Sequence, residues 1–188
     1  QVTAARVLAQ GPQDEYSYSL RAARLARAED RDALRALYAR LQEDSARPDP
    51  RRRLLLGQVA EFLELQEDAL RWYASVPGGP QRLQARLRTA AVLHALDRAP
   101  EAIASLHALQ ADAEAHEDAR RDAYLLEAEL HRDAGDGTAE LDAFARGLAA
   151  WPDDPQLLYA RALAWERRDD IARAEADFRQ ILVAEPDN

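Results

Sequence analysis

The residues with the most chemical potential are Glu127 and His131, four apart in a segment of helical periodicity. That spacing puts a carboxylate and an imidazole on one helix face, where they can seat a metal or act as an acid-base pair. A metal would need a third ligand, and the neighbouring sequence offers no obvious one. The structural alternative is an ion pair. Arg161 stands 34 residues after Glu127, in the equivalent slot of the next unit, and a bridge between them is expected. Such a pair offsets its own desolvation only when the geometry is good. The other histidines, His94, His107 and His116, fall on different helix faces. No Ser-His-Asp order, glycine-rich phosphate loop or paired catalytic carboxylates occur. The expectation is a non-catalytic chain that uses neither cofactor nor metal.

Arg51, Arg52 and Arg53 open a helix and read either as a solvated face or as a small anion contact. Trp165 occupies a large aromatic slot and is expected in the core. Trp72, beside Tyr73, and Trp151, before Pro152, are expected to pack against a neighbouring unit, with exposure for partner contact as the alternative.

The elements that must position these residues are helices. Across 188 residues, 47% are apolar and 6% aromatic, with alanine and leucine predominant. Small side chains suit closely packed helices better than a thick globular core. The formal charge is -9, from 34 acidic and 25 basic residues, and every basic residue is arginine. Nucleic acid is a poor partner for such a chain, because phosphate binding needs clustered positive charge. The chain has no cysteine, so disulfides, thiolate zinc sites and cysteine nucleophiles are excluded. No apolar run approaches a membrane span, and the first residues do not form a signal peptide. Methionine is absent altogether, which reads as an excised or processed fragment.

Sliding the last stretch, Pro155 to Asn188, back by 34 residues lays Phe178 on Phe144, Leu182 on Leu148, Pro186 on Pro152 and Ala162 on Ala128. Two helices per unit are expected over 14–49, 50–82, 83–120, 121–154 and 155–188, with 1–13 the tail of a truncated unit. In the first pair, grouping Tyr18, Ala22 and Leu25 inward spares Arg21 and Arg24 from burial. Leu56-Gly57 and Ala69-x3-Tyr73 give the best internal match. Glycine costs roughly 1 kcal/mol against alanine in a helix, so Gly57 is expected to admit a close neighbour. Pro77-Gly78-Gly79-Pro80 reads as a firm break.

The spacings Leu158-x2-Arg161-Ala162-x2-Trp165, Ala174-x3-Phe178 and Pro186 resemble the tetratricopeptide repeat. The resemblance implies an all-α fold, an α-solenoid of antiparallel helix pairs wound into a right-handed superhelix over 1–188. It implies an adaptor or scaffold that binds a protein or peptide in a concave groove lined by first helices. Carried over slot by slot, the groove comprises Arg51, Leu54, Gln58 and Phe62, then Leu87 and His94. Leu125, Glu129 and Arg132 follow, then Tyr159, Leu163 and Glu166. A carboxylate clamp found in one subset of the family needs Lys and Asn where this chain has Leu54, Gln58, Leu87 and Ala91, so that binding mode is not expected. The alternative role is self-assembly through the array ends. Phrases such as Leu56-Gly57-Gln58-Val59-Ala60-Glu61 are also similar to long Gram-negative arrays, some of them periplasmic or outer-membrane-associated; otherwise a cytoplasmic setting is implied.

Overall fold

The computed structural model describes residues 15–43 and 49–184. The readings of a truncated tail over 1–13 and of Pro186 lie outside the described residues. Among those residues the chain forms ten α-helices and no strand. They are α1 (Glu15–Arg27), α2 (Arg31–Glu43), α3 (Pro50–Phe62), α4 (Gln66–Ala74), α5 (Gly79–Ala95), α6 (Ala99–Gln110), α7 (Glu117–Asp133), α8 (Gly137–Ala150), α9 (Pro155–Arg167) and α10 (Ile171–Ala184). They follow one another in the chain as five helix–turn–helix pairs. The chain divides into two compact units between Val92 and Leu93, within α5.

One turn chemistry recurs in all five pairs. Two residues before each second helix the backbone turns left-handed, at Glu29, Glu64, Asp97, Gly135 and Asp169, with φ between 54° and 75°. The next N–H then reaches back five residues: Asp30 to Leu25, Leu65 to Ala60, Arg98 to Leu93, Asp136 to His131 and Asp170 to Trp165, at 2.8–3.1 Å. This is the Schellman closure, which satisfies carbonyls the helix end would leave orphaned. Aspartates at the next position also cap the following helices. Asp30 accepts from the Ala33 N–H at 3.1 Å, Asp136 from Ala139 at 3.0 Å and Asp170 from Arg173 at 3.1 Å. Only one of the five left-handed positions is glycine, and L side chains there carry a penalty of about 1–2 kcal/mol. Glu64→Gly is therefore expected to raise stability by about 0.5–1 kcal/mol, since its exposed 3.7 Å pair with Arg31 contributes little. Chemical denaturation that showed a loss would contradict this.

Two first helices, α3 and α9, start on a different device. Asp49 accepts from the Arg51 and Arg52 N–H groups and Asp154 from Leu157, with Pro50 and Pro155 in the first turn where no N–H is required. The chain does break between α4 and α5, at Pro77 and Gly78, and the same logic narrows that break from the expected Pro77 to Pro80. Helix α5 already includes Gly79 and Pro80, because proline fits a first helical turn.

In the first unit, Tyr18 and Ala22 are buried and Leu25 is half-buried while Arg21 and Arg24 are exposed, as the inward grouping required. Leu34, Leu37 and Leu41 of α2 complete this layer. Gly57 of α3 faces Tyr73 of α4 so closely that a Cβ would overlap the ring. The Tyr73 hydroxyl donates to Glu61 Oε2 at 2.6 Å, and Arg88 of α5 grips the same carboxylate. Burial, with this hydrogen bond to a carboxylate, pushes the Tyr73 phenol well above its ordinary range. In the second unit the core joins Ala128, Ala143, Phe144, Leu148, Leu157 and Leu158, with Tyr124 and Trp151 packed against it. Each leucine so buried contributes about 1.5–3 kcal/mol.

Candidate functional site

Glu127 is fully buried, and α6, α7 and α8 converge on it. Helix α6 brings His107, whose Nε2 lies 2.7 Å from Glu127 Oε1, and Gln110, whose amide donates to the same oxygen at 3.2 Å. On α7 itself His131 Nε2 lies 3.5 Å from Oε2, and from α8 the Arg146 guanidinium donates to Oε2. Arg146 also donates to Gln110 Oε1 at 3.2 Å and to Asp142 at 2.9 Å. Both carboxylate oxygens are thus engaged away from solvent, an arrangement suited to tying helices together. Among the described residues no group of three or more side chains is set to hold a metal ion.

The expected Glu127–Arg161 bridge is not formed. Arg161 instead donates to Asp177 of α10 at 2.7 and 2.9 Å. Arg161 thus finds its partner on the second helix of its own pair, whereas Glu127 is met both by Arg146 of its own pair and by His107 and Gln110 of the preceding one. His107 also corrects the reading of the histidines as scattered. A helical count reports faces of one helix and cannot register that α6 and α7 bring two imidazoles to one carboxylate.

The tryptophans are all half-buried. Trp72 Nε1 donates to Tyr38 Oη at 2.9 Å, tying α4 to α2, and Tyr38 donates to Asp68 at 3.1 Å. Trp151 meets Tyr124 edge-on with 6.1 Å between ring centroids. Trp165, expected in the core, keeps part of its ring at the surface under the Arg173 guanidinium of α10, 4.8 Å away.

The groove residues separate by burial. In the first unit Arg51 and Gln58 are exposed, and Phe62 is at the rim with Arg31 6.0 Å above its ring. Leu87 is half-buried, and Leu54 is buried at 7% exposure, so a charge placed at Leu54 would test folding rather than binding. In the second unit His94 is half-buried with no hydrogen-bond partner at Nδ1. Tyr159 and Glu166 are exposed, Tyr159 leaning on Phe178 at 6.0 Å.

Four of the named residues meet at one place. Leu125, Glu129 and Arg132 of α7 face Leu163 of α9 across a depression of about 200 Å³. Phe144 and Ala160 also line it, with Glu140 and Arg167 alongside. Glu140 is buried, and Arg167 donates to both its oxygens at 3.1 Å, closing that side with a neutralised pair. The sequence reading did not single out these last four. Phe144 and Ala160 were placed only as repeat matches or not at all, and Glu140 and Arg167 resemble ordinary surface charges.

No family model matches the sequence. A TPR repeat-containing protein of Pseudomonas aeruginosa is 35% identical over 133 residues, 71% of this chain and 22% of the relative. The chain thus spans about a fifth of that protein's length. Among solved structures, BtubC from P. vanneervenii superposes with a TM-score of 0.62 at 17% identity, covering 98% of this chain and 84% of that one. YrrB, a TPR protein with an unusual peptide-binding site, gives 0.50 at 15% identity, covering 100% and 95%. At these identities the two structures speak to the fold alone. Five helix pairs closed by one kind of turn, the 34-residue register and the sequence kinship with the Pseudomonas protein place this chain in the tetratricopeptide-repeat family.

Proposed function

We propose that the chain is a non-catalytic interaction module that binds a protein or peptide on the first-helix face, with the α7–α9 depression as its main contact. What carries this reading is the convergence of Leu125, Glu129, Arg132 and Leu163 on one concavity with apolar and charged walls. Mixed linings of this kind draw affinity from apolar anchors and register from charge. The relative's repeat family supports an interaction role in general.

The test is selection from a displayed peptide library against the whole chain, followed by affinity measurement. Tyr159→Asp and Arg132→Glu alter exposed side chains, so their helicity and melting are expected to match wild type. Each is expected to weaken the selected peptide by about tenfold or more. Peptides that bind both variants as well as wild type would move the site off this face.

A second reading, self-association, has its own observation. Leu182 is 59% exposed and Val183 80% on α10, whereas Leu148, the repeat match of Leu182, is buried under α9. Sedimentation equilibrium would show concentration-dependent assembly abolished by Leu182→Asp if that face pairs with a second copy.

A further inference from the structure

One small residue, Ala160, stands on the wall of the α7–α9 depression. Thirty-four residues before Ala160 stands Leu126, and the offset that lays Ala69-x3-Tyr73 on Ala174-x3-Phe178 puts Leu55 in the same slot. Leu55 is buried and Leu126 half-buried; nine residues before their own left-handed turns α1 has the exposed Leu20 and α5 has Arg88, so three of the four earlier units hold a leucine in this slot and all four a longer side chain. At Ala160 the branched part of that side chain is missing, and Leu125, Phe144 and Leu163 are left around a hole open to solvent.

The charges beside the hole are not used up within the fold. The Glu129 carboxylate has no hydrogen bond or ion pair among the described residues. Arg132 has a single exposed contact, to Asp133 at 4.0 Å. These two side chains sit one turn apart on α7, about 4.5 Å along the axis. An acid and a base so close, neither committed to the other, present opposite charges one turn apart along the α7 wall of one apolar opening.

Resting on the reading of this face as a peptide site, we propose that the depression takes one leucine- or phenylalanine-sized side chain of an extended peptide. That anchor has an acidic residue within two positions on one side, facing Arg132, and a basic residue within two on the other, facing Glu129. The volume of about 200 Å³ suits a single such side chain. Extended backbone advances about 3.3–3.6 Å per residue, so charges flanking the anchor can reach both partners on α7.

The probes are fluorescein-labelled nonapeptides of glycine and serine whose centre carries Leu, Phe or Ser. The flanking residues are acid and base in either order, two acids, two bases or two serines. Titrated against the whole chain, Leu- and Phe-centred peptides of mixed charge are expected to bind best, with one order preferred. Ala160→Leu places there the leucine that three of the four earlier units hold, so folding is expected to survive, as circular dichroism would report. It should weaken the best peptide about 30-fold, the loss of one buried apolar side chain. Glu129→Arg should shift preference to peptides flanked by two acids. Binding indifferent to the central residue, or retained in Ala160→Leu, overturns the proposal. Failure of every nonapeptide overturns it too, while the displayed library with Tyr159→Asp decides separately whether this face binds peptides at all.

Discussion

Glu127→Ala is expected to destabilise the second unit by about 3 kcal/mol, the lower end of the cost of breaking a buried ion pair. The variant removes the acceptor shared by Gln110, His107 and Arg146 and leaves a void where α6, α7 and α8 meet. The figure sits at the lower end because the Arg146 and His107 side chains are 37% and 52% exposed, so water can reach the groups left behind. Glu127→Gln keeps the volume and one acceptor and should cost less than half as much. Urea denaturation gives the magnitude, and hydrogen exchange should show protection falling first in α6, α7 and α8. A loss below about 0.5 kcal/mol would mean that the carboxylate does not tie these helices together.

Gly57→Ala tests the tightest helix contact. On an exposed helix the change would gain roughly 1 kcal/mol in intrinsic propensity. Here the added Cβ overlaps the Tyr73 ring, which is 2% exposed and held at its hydroxyl by Glu61. The ring cannot withdraw without giving up that bond, so a net loss of about 2 kcal/mol is expected, within the range for overpacking. In a Tyr73→Ala background the obstacle is gone, and the same substitution should become stabilising. Thermal denaturation of the four proteins of this cycle measures the coupling between the two positions. If Gly57→Ala stabilises with Tyr73 in place, the close approach is not what requires glycine.

Much of this architecture is legible in the sequence. Phe144, Leu148, Phe178 and Leu182 mark the register because second helices reuse one packing slot, and Gly57 stood out because a helical glycine needs a reason. Tyr18 and Ala22 could be turned inward by asking which grouping spares two guanidinium groups. Other features left no local mark. Glu29, Glu64, Asp97 and Asp169 adopt the left-handed turn without being glycine, since closing a helix pair outweighs a local preference of about 1–2 kcal/mol. The pairing of Arg161 with Asp177 depends on which way a slot points between two helices, and spacing alone does not contain that direction.

The same division holds for the site. The sequence by itself determined that the chain is helical, that its pairs repeat, and that Leu125, Glu129, Arg132 and Leu163 occupy first-helix positions. Periodicity within a helix is a property of neighbouring residues, and it can be counted. The tertiary structure decided that these four surround one depression with Ala160 on its wall, that Leu54 is buried, and that His107 belongs to Glu127. Each of these depends on the distance between side chains on different helices, which packing sets and no single-helix pattern records.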